Sequence, residues 1–224
     1  MKTSTAVLKK SKPNRLNPRA RARLLLRGIK PAIEDRVRFL AAFIRRPTCV
    51  GALGPSSVAL AKAMLSGFHL EQCDTVIELG PGTGAFTTQI LERIGKSTTF
   101  FALELDPEFV RALRRRFPSL MVHNDSAERM ADYLTLHGKD KADYIVSGLP
   151  WASLPLKVQD NILDSVVRCL RPGGMFTTFG YVHARWFPNA LRLKQRLEND
   201  FARVEISKVV WRNFPPAFIY RCSR

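Results

Sequence analysis

The sequence has little that would staple it together or anchor it in a membrane. Its four cysteines, Cys49, Cys73, Cys169 and Cys222, are scattered over 224 residues with no C-x-x-C pair and no histidine at ligand spacing. That argues against a disulfide framework and a zinc site, and suits small apolar residues in a reducing compartment. No run of about 18 apolar residues occurs, so no segment is expected to cross a bilayer as a helix. The N-terminus is basic but lacks the apolar core and small-residue cleavage site of a secretory signal. A cytoplasmic protein is expected, either free or peripheral on the inner face of the membrane. Internal repeats are absent, as is any interior linker rich in Gly, Pro or Ser. A chain of this length can bury roughly 70% of its unfolded surface in one core.

Acid is missing from one end. Residues 1–30 carry ten cations and no Asp or Glu, and the first acidic residue is Glu34. Over the whole chain 36 Lys and Arg face 19 Asp and Glu, a net charge of +17. Such a field gathers polyanions, either nucleic acid or an anionic membrane leaflet. Residues 1–14 hold Ser, Thr, Pro and Lys without apolar periodicity. Beyond Pro31, the residues Ile33, Val37, Leu40 and Ile44 recur at helical spacing, widened by Phe39 and Phe43 and flanked by Arg36, Arg38, Arg45 and Arg46. This basic amphipathic stretch suits a membrane surface, or a helix packed over the core with its arginines in solvent. The organisation expected is a leader over 1–46, with docking assigned to 15–46, and a domain over 47–224.

From Thr75 strands and helices alternate. Strands are expected at Thr75–Leu79, Thr99–Leu103, Leu120–His123, Ala142–Ser147 and Met175–Phe179, the last following a Pro172-Gly173-Gly174 turn. Helices are expected at Gly84–Ile94, Pro107–Phe117, Ala127–Leu136, Leu156–Leu170 and Ala190–Glu198. Ala202–Val210 and Ala217–Arg221 read as two final strands. This alternation predicts a Rossmann-like α/β fold, a largely parallel sheet with helices on both faces.

The run Val76-Ile77-Glu78-Leu79-Gly80-Pro81-Gly82-Thr83-Gly84 passes from a strand through glycines into a helix. Gly80, Gly82 and Gly84 let the backbone turn sharply and approach a ligand. Alone, such a turn also suits a dinucleotide. Glu78 can accept a hydrogen bond from the amino-acid part of a ligand. Glu104, at the end of the second strand, can take both hydroxyls of a ribose, and Asp125, after the third, an adenine amino group. All three fall along one edge of a doubly wound sheet. Ser56 and Ser57 would cap the helix beginning at Val58, whose N-terminus could also face a cofactor carboxylate.

The motif E-x-G-x-G-x-G, an acid ending strand two and N-D-S after strand three resemble class I methyltransferases. That resemblance implies a seven-stranded sheet with one reversed strand, and S-adenosylmethionine as cofactor with no metal. It places Glu78, Gly80, Gly82 and Gly84 at the methionine end, Glu104 on the ribose, and Asp125 with Ser126 on adenine. Leu105 and Gly148 complete the expected cofactor set.

After strand four comes Ser147-Gly148-Leu149-Pro150-Trp151. Ribosomal RNA adenine dimethylases, which the chain partly resembles, carry Asn where Gly148 stands, so the side-chain acceptor for a base amine is missing. Three stretches instead resemble bacterial phospholipid N-methyltransferases: the segment ending G-A-L-G-P-S-S, then S-G-L-P-W-A-S-L-P, then W-R-N-F-P-P-A-F-I-Y-R. The implied reaction is methylation of phosphatidylethanolamine, with ornithine lipid or RNA adenine as alternatives. Leu149, Pro150, Trp151 and Tyr181 are the candidate catalytic residues. His183, Arg185, Arg212 and Tyr220 are candidates for the lipid head group, Arg being suited to phosphate.

Overall fold

The computed structural model describes residues 57–224. The leader expected over 1–46, its docking stretch and Ser56 lie outside the described residues.

Helix α1 (Val58–Met64) opens on Ser57, whose hydroxyl accepts the Leu60 N–H. Strand β1 (Thr75–Leu79) is buried along its whole length, as a central parallel strand covered on both faces must be. It is followed by α2 (Ala85–Leu91), β2 (Thr99–Glu104), α3 (Pro107–Arg116) and β3 (Met121–Asn124). Asp106 caps α3 by accepting the Glu108 N–H, and Pro107 sits in the first turn, where its missing N–H costs nothing. A 3-10 turn (Ala127–Arg129) leads into α4 (Met130–Leu136) and β4 (Ala142–Ser147). Another (Trp151–Ser153) precedes α5 (Leu156–Cys169) and β5 (Leu170–Tyr181). A third (Val182–Ala184) leads to α6 (Pro188–Asp200), β6 (Arg203–Ile206) and β7 (Ala217–Ser223).

The seven strands lie in the order β3-β2-β1-β4-β5-β7-β6. Strands β1 to β5 run parallel, while β7 is antiparallel to both β5 and β6, so it alone is reversed. Alternating side chains split the core between the two faces. Ile77, Leu79, Phe101, Leu103, Ile145 and Phe176 pack with apolar residues of α4, α5 and α6. Val76, Phe100, Ala102, Tyr144 and Val146 pack with those of α1, α2 and α3. At the amino end of the sheet, buried Asp143 accepts the Asp74 and Thr75 N–H groups at 2.9 and 2.8 Å and pairs with Arg171, tying β1, β4 and β5 together.

Most expected boundaries shift by a few residues, Gly84–Ile94 shortening to Ala85–Leu91 and the helix expected from Ala127 starting at Met130, and three shifts have a clear cause. Pro172-Gly173-Gly174 is a bulge inside β5 rather than a turn before it, since pairing runs from Ala142↔Leu170 to Tyr144↔Met175. The Gly173 N–H donates to the Arg224 carbonyl and the Arg224 N–H to Gly174, so the last residue pairs across the bulge. The strand expected over Ala202–Val210 stops at Ile206, and Val210 returns as a single bridge to Ala217. Helix α6 extends to Pro188 and Asp200, held by Arg196 to Asp160, Asp164 and Asp200.

Candidate active site

The carboxyl ends of β1, β2, β3 and β4 meet at one edge, where a ladder of backbone bonds joins the expected cofactor residues. The Gly80 N–H donates to the Leu103 carbonyl at 2.9 Å, and the Gly148 N–H to Leu79 at 2.8 Å. Gly80, Gly82 and Gly84 have φ of 68°, 53° and 85°, the left-handed region open to residues without a Cβ. At Gly80 a Cβ would lie 2.7 Å from the Leu149 side chain, and at Gly84 2.8 Å from Phe117. At Gly82 it would meet nothing, so that side of the turn is open to a ligand.

Glu78 lies wholly inside the protein. One carboxyl oxygen accepts the Thr87 hydroxyl at 2.7 Å, while the other, Oε1, has no protein partner among the described residues. Burial pushes its pKa up to about 8, against the pull of Thr87 and with a further push from Glu104. That unpartnered oxygen, under an open glycine turn, could accept a hydrogen bond from a ligand's amino group. Glu104 binds the Gly82 N–H at 3.0 Å and the Asp106 N–H at 2.9 Å, one through each oxygen. Burial raises its pKa while these amides oppose the rise. It therefore ties the glycine turn to the β2 turn. Leu105, half-buried, accepts the Asn124 side-chain amide through its carbonyl at 2.9 Å.

Asp125 is held on three sides, by the Ser126 N–H, by Arg129 at 3.0 Å and by the Tyr133 hydroxyl at 2.9 Å. Ser126 caps the following 3-10 turn. Behind them His123 stacks on Tyr133, with ring centroids 4.2 Å apart, and shares a hydrogen bond with His137 at 2.8 Å. Desolvation and His137 depress His123 to about 4.

The loop expected to receive the acceptor is built on Ser147. Its hydroxyl accepts the Leu149 N–H at 3.3 Å and the Trp151 indole N–H at 3.1 Å. Trp151 is 2% exposed and packs edge-on against Phe176, so most of its ring belongs to the core. Gln159, also buried, donates to the Trp151 carbonyl at 2.6 Å and fixes the loop from beneath. The Leu149 carbonyl accepts the Trp151 N–H, keeping one lone pair spare, and Pro150 is half-buried. Beside this loop a cleft is lined by Trp151, Phe179, Tyr181, Arg185, Phe218 and Tyr220. Burial raises the pKa of Tyr181, and that of Tyr220 to about 12, so both phenols stay protonated. His183 stacks on Tyr181 at 5.6 Å, and Arg212 is exposed on the β6–β7 connection. Ser57 caps α1, and its N–H donates to Asn213 Oδ1 at 2.9 Å.

Sequence reasoning passed over Ser147, Gln159 and Asn213. Ser147 and Asn213 stand inside quoted motifs, whereas Gln159 had no local signal. Among the described residues no group of three or more His, Cys, Asp or Glu could hold a metal, and no helix is long and apolar enough to cross a membrane.

This sheet order, with a glycine turn after β1 and acids ending β2 and following β3, defines a class I S-adenosylmethionine-dependent methyltransferase. Residues 76–174 match the family described as a methyltransferase domain. The chain is 32% identical over 197 residues to the ornithine lipid N-methyltransferase of Singulisphaera acidiphila, covering 85% of this chain and 96% of that protein. It belongs to that enzyme's family. It is also 36% identical over 90 residues to ribosomal RNA small subunit methyltransferase A of Ralstonia nicotianae, over 40% of this chain and 31% of that protein. Among solved structures it resembles Aeropyrum pernix fibrillarin with bound S-adenosyl-L-methionine: TM-score 0.55, 18% identity, 73% of this chain and 72% of that one. The cofactor is S-adenosylmethionine.

Proposed function

We propose that the protein methylates the head-group amine of a membrane lipid, phosphatidylethanolamine or ornithine lipid. One observation carries this reading. The match to the lipid N-methyltransferase runs nearly end to end and so includes the loop expected to receive the acceptor, whereas the ribosomal RNA methyltransferase match covers 40% of the chain.

The bound cofactor supplies a methyl group activated on a sulfonium. Glu78, through its unpartnered oxygen, and the turn Gly80–Gly84 would hold its methionine end, Glu104 its ribose, and Asp125 with Ser126 its adenine. The chain's work on the acceptor is desolvation and alignment. An amine must be neutral to attack, and a primary ammonium is mostly protonated in water near pH 7. The ring-lined cleft disfavours the charged form. The phenol oxygens of Tyr181 and Tyr220 and the spare lone pair of the Leu149 carbonyl accept the amine N–H groups. Arg185, in the cleft wall, meets the lipid's anionic group, with His183 and Arg212 further out. Trp151 braces the wall instead of stacking on a base. The basic leader adds attraction to an anionic surface, about 1 kcal/mol per cation near it.

Defined liposomes test the reading. Labelled methyl groups should appear in phosphatidylethanolamine or ornithine lipid, and labelling of neither lipid would overturn it.

A further inference from the structure

Four large apolar side chains stand in solvent at one end of the domain: Trp186 (69% exposed), Trp211 (74%), Phe214 (78%) and Phe187 (39%). A single exposed apolar residue needs no explanation, but a cluster does. These four sit on two loops that leave neighbouring strands. Tyr181, the last residue of β5, pairs with Ala217, the first of β7, and the Val182 N–H donates to the Pro216 carbonyl at 3.0 Å. The Val210 N–H donates to Ala217 at 2.7 Å, closing the base of the second loop. Residues 182–187 and 210–216 therefore emerge side by side at the carboxyl end of β5. That is the end of the parallel sheet where the glycine turn lies, and the first loop supplies Arg185 to the cleft. Leu191, one helical turn beyond Phe187, is exposed as well.

The charges on these loops have one sign. Residues 182–197 and 206–224 contain no Asp or Glu. The Arg185 guanidinium lies over the Trp186 ring at 4.7 Å, and Arg212 adjoins Trp211. Further along α6, Arg192 and Arg196 are already paired with Asp160, Asp164 and Asp200. Indole rings beside arginines, with no acid between them, suit the head-group layer of an anionic bilayer, where Trp places its ring among acyl chains and its N–H among head groups. The second loop is held at its base by the Ser57 N–H, which donates to Asn213 Oδ1 at 2.9 Å.

We propose that Arg185, Trp186, Phe187 and Leu191, with Trp211, Arg212 and Phe214, form a docking rim of the catalytic domain. The rim inserts into an anionic lipid surface and turns the cleft toward it. This rests on the lipid-amine reading for its purpose, but its test requires no methyl transfer. The chain has three tryptophans, and Trp151 is buried and so silent to solvent. Full-length protein is mixed with phosphatidylglycerol–phosphatidylcholine vesicles, which contain no primary amine. Emission from Trp186 and Trp211 shifts to the blue, acrylamide loses access to both, and brominated acyl chains quench them. Trp186→Phe and Trp211→Phe assign each signal. The double variant Trp211→Ala/Phe214→Ala binds vesicles at least about tenfold more weakly and keeps its S-adenosylmethionine affinity, which shows that it is folded. Unchanged acrylamide access with vesicles overturns the proposal. So does shielding of both indoles before vesicles are added, since residues 1–56 or a second copy then cover the rim. Quenching by lipid without methylation of any lipid leaves the rim standing and removes the lipid-amine reading.

Discussion

Gly148 faces the carbonyl oxygen of Gly80 so closely that a Cβ at Gly148 would lie 2.5 Å from it, with the Phe86 ring 3.3 Å away. The glycine turn and the loop after β4 thus touch through two residues without side chains. The missing Asn side chain at this position has a steric cause as well as a chemical consequence. In Gly148→Ala or Gly148→Asn the glycine turn must move, at a cost of about 1–3 kcal/mol. Thermal denaturation should show that loss. Calorimetry should show S-adenosylmethionine binding weakened about tenfold or more, and Gly148→Asn should not gain adenine methylation.

Glu78 makes stability depend on pH with a definite sign. Its carboxyl is raised from 4.5 to about 8, so the folded state holds a proton that the unfolded state gives up. Its contribution is fully present below about pH 4.5 and is lost as pH rises toward 8. Glu78→Gln cannot titrate, so its urea midpoint should decline less than that of the wild type across that window. The variant should also lose cofactor affinity, because Gln cannot give up a proton to pair with a cationic amino group.

Ser147 supports the acceptor loop through the Trp151 indole. Ser147→Ala leaves that N–H buried without an acceptor, costing about 1–3 kcal/mol. The expected result is a lower melting temperature and reduced turnover, with cofactor affinity held within about twofold. Equal loss of cofactor binding would mean that the loop also shapes the glycine turn.

Arg185 is the cation of the cleft wall. Arg185→Ala should raise KM for a short-chain, micellar lipid acceptor about tenfold, the loss of one charged hydrogen bond. S-adenosylmethionine affinity should not change. Arg185→Lys should recover part of the loss, because an ammonium replaces the charge but not the fork.

The common placement of the expected cofactor residues was legible because its signals are local. A turn of three glycines and acids at strand ends lie within a few residues of the elements that present them. The structure brings Glu78, Gly80, Gly82, Gly84, Glu104 and Asp125 to one edge of the sheet. The loop expected to receive the acceptor depends on partners far apart in the chain. Trp151 looked available to a ligand, yet the Ser147 hydroxyl and the edge of Phe176 place most of its ring in the core. Asn213 binds Ser57 from 156 residues away, and no spacing rule points to it. Pro172-Gly173-Gly174 is strong turn chemistry, but pairing with Arg224 overrides it and leaves a bulge inside β5. The exposure of Trp186 and Trp211 was invisible to periodicity, since both lie in loops.

The central claim, that the methyl group goes to a lipid amine, is tested most directly by one competition. The full-length protein receives labelled S-adenosylmethionine together with total lipid and total RNA from the same cells, and the two fractions are then separated. The account predicts label in the amine-bearing lipids and none above background in RNA. Label confined to RNA would contradict it.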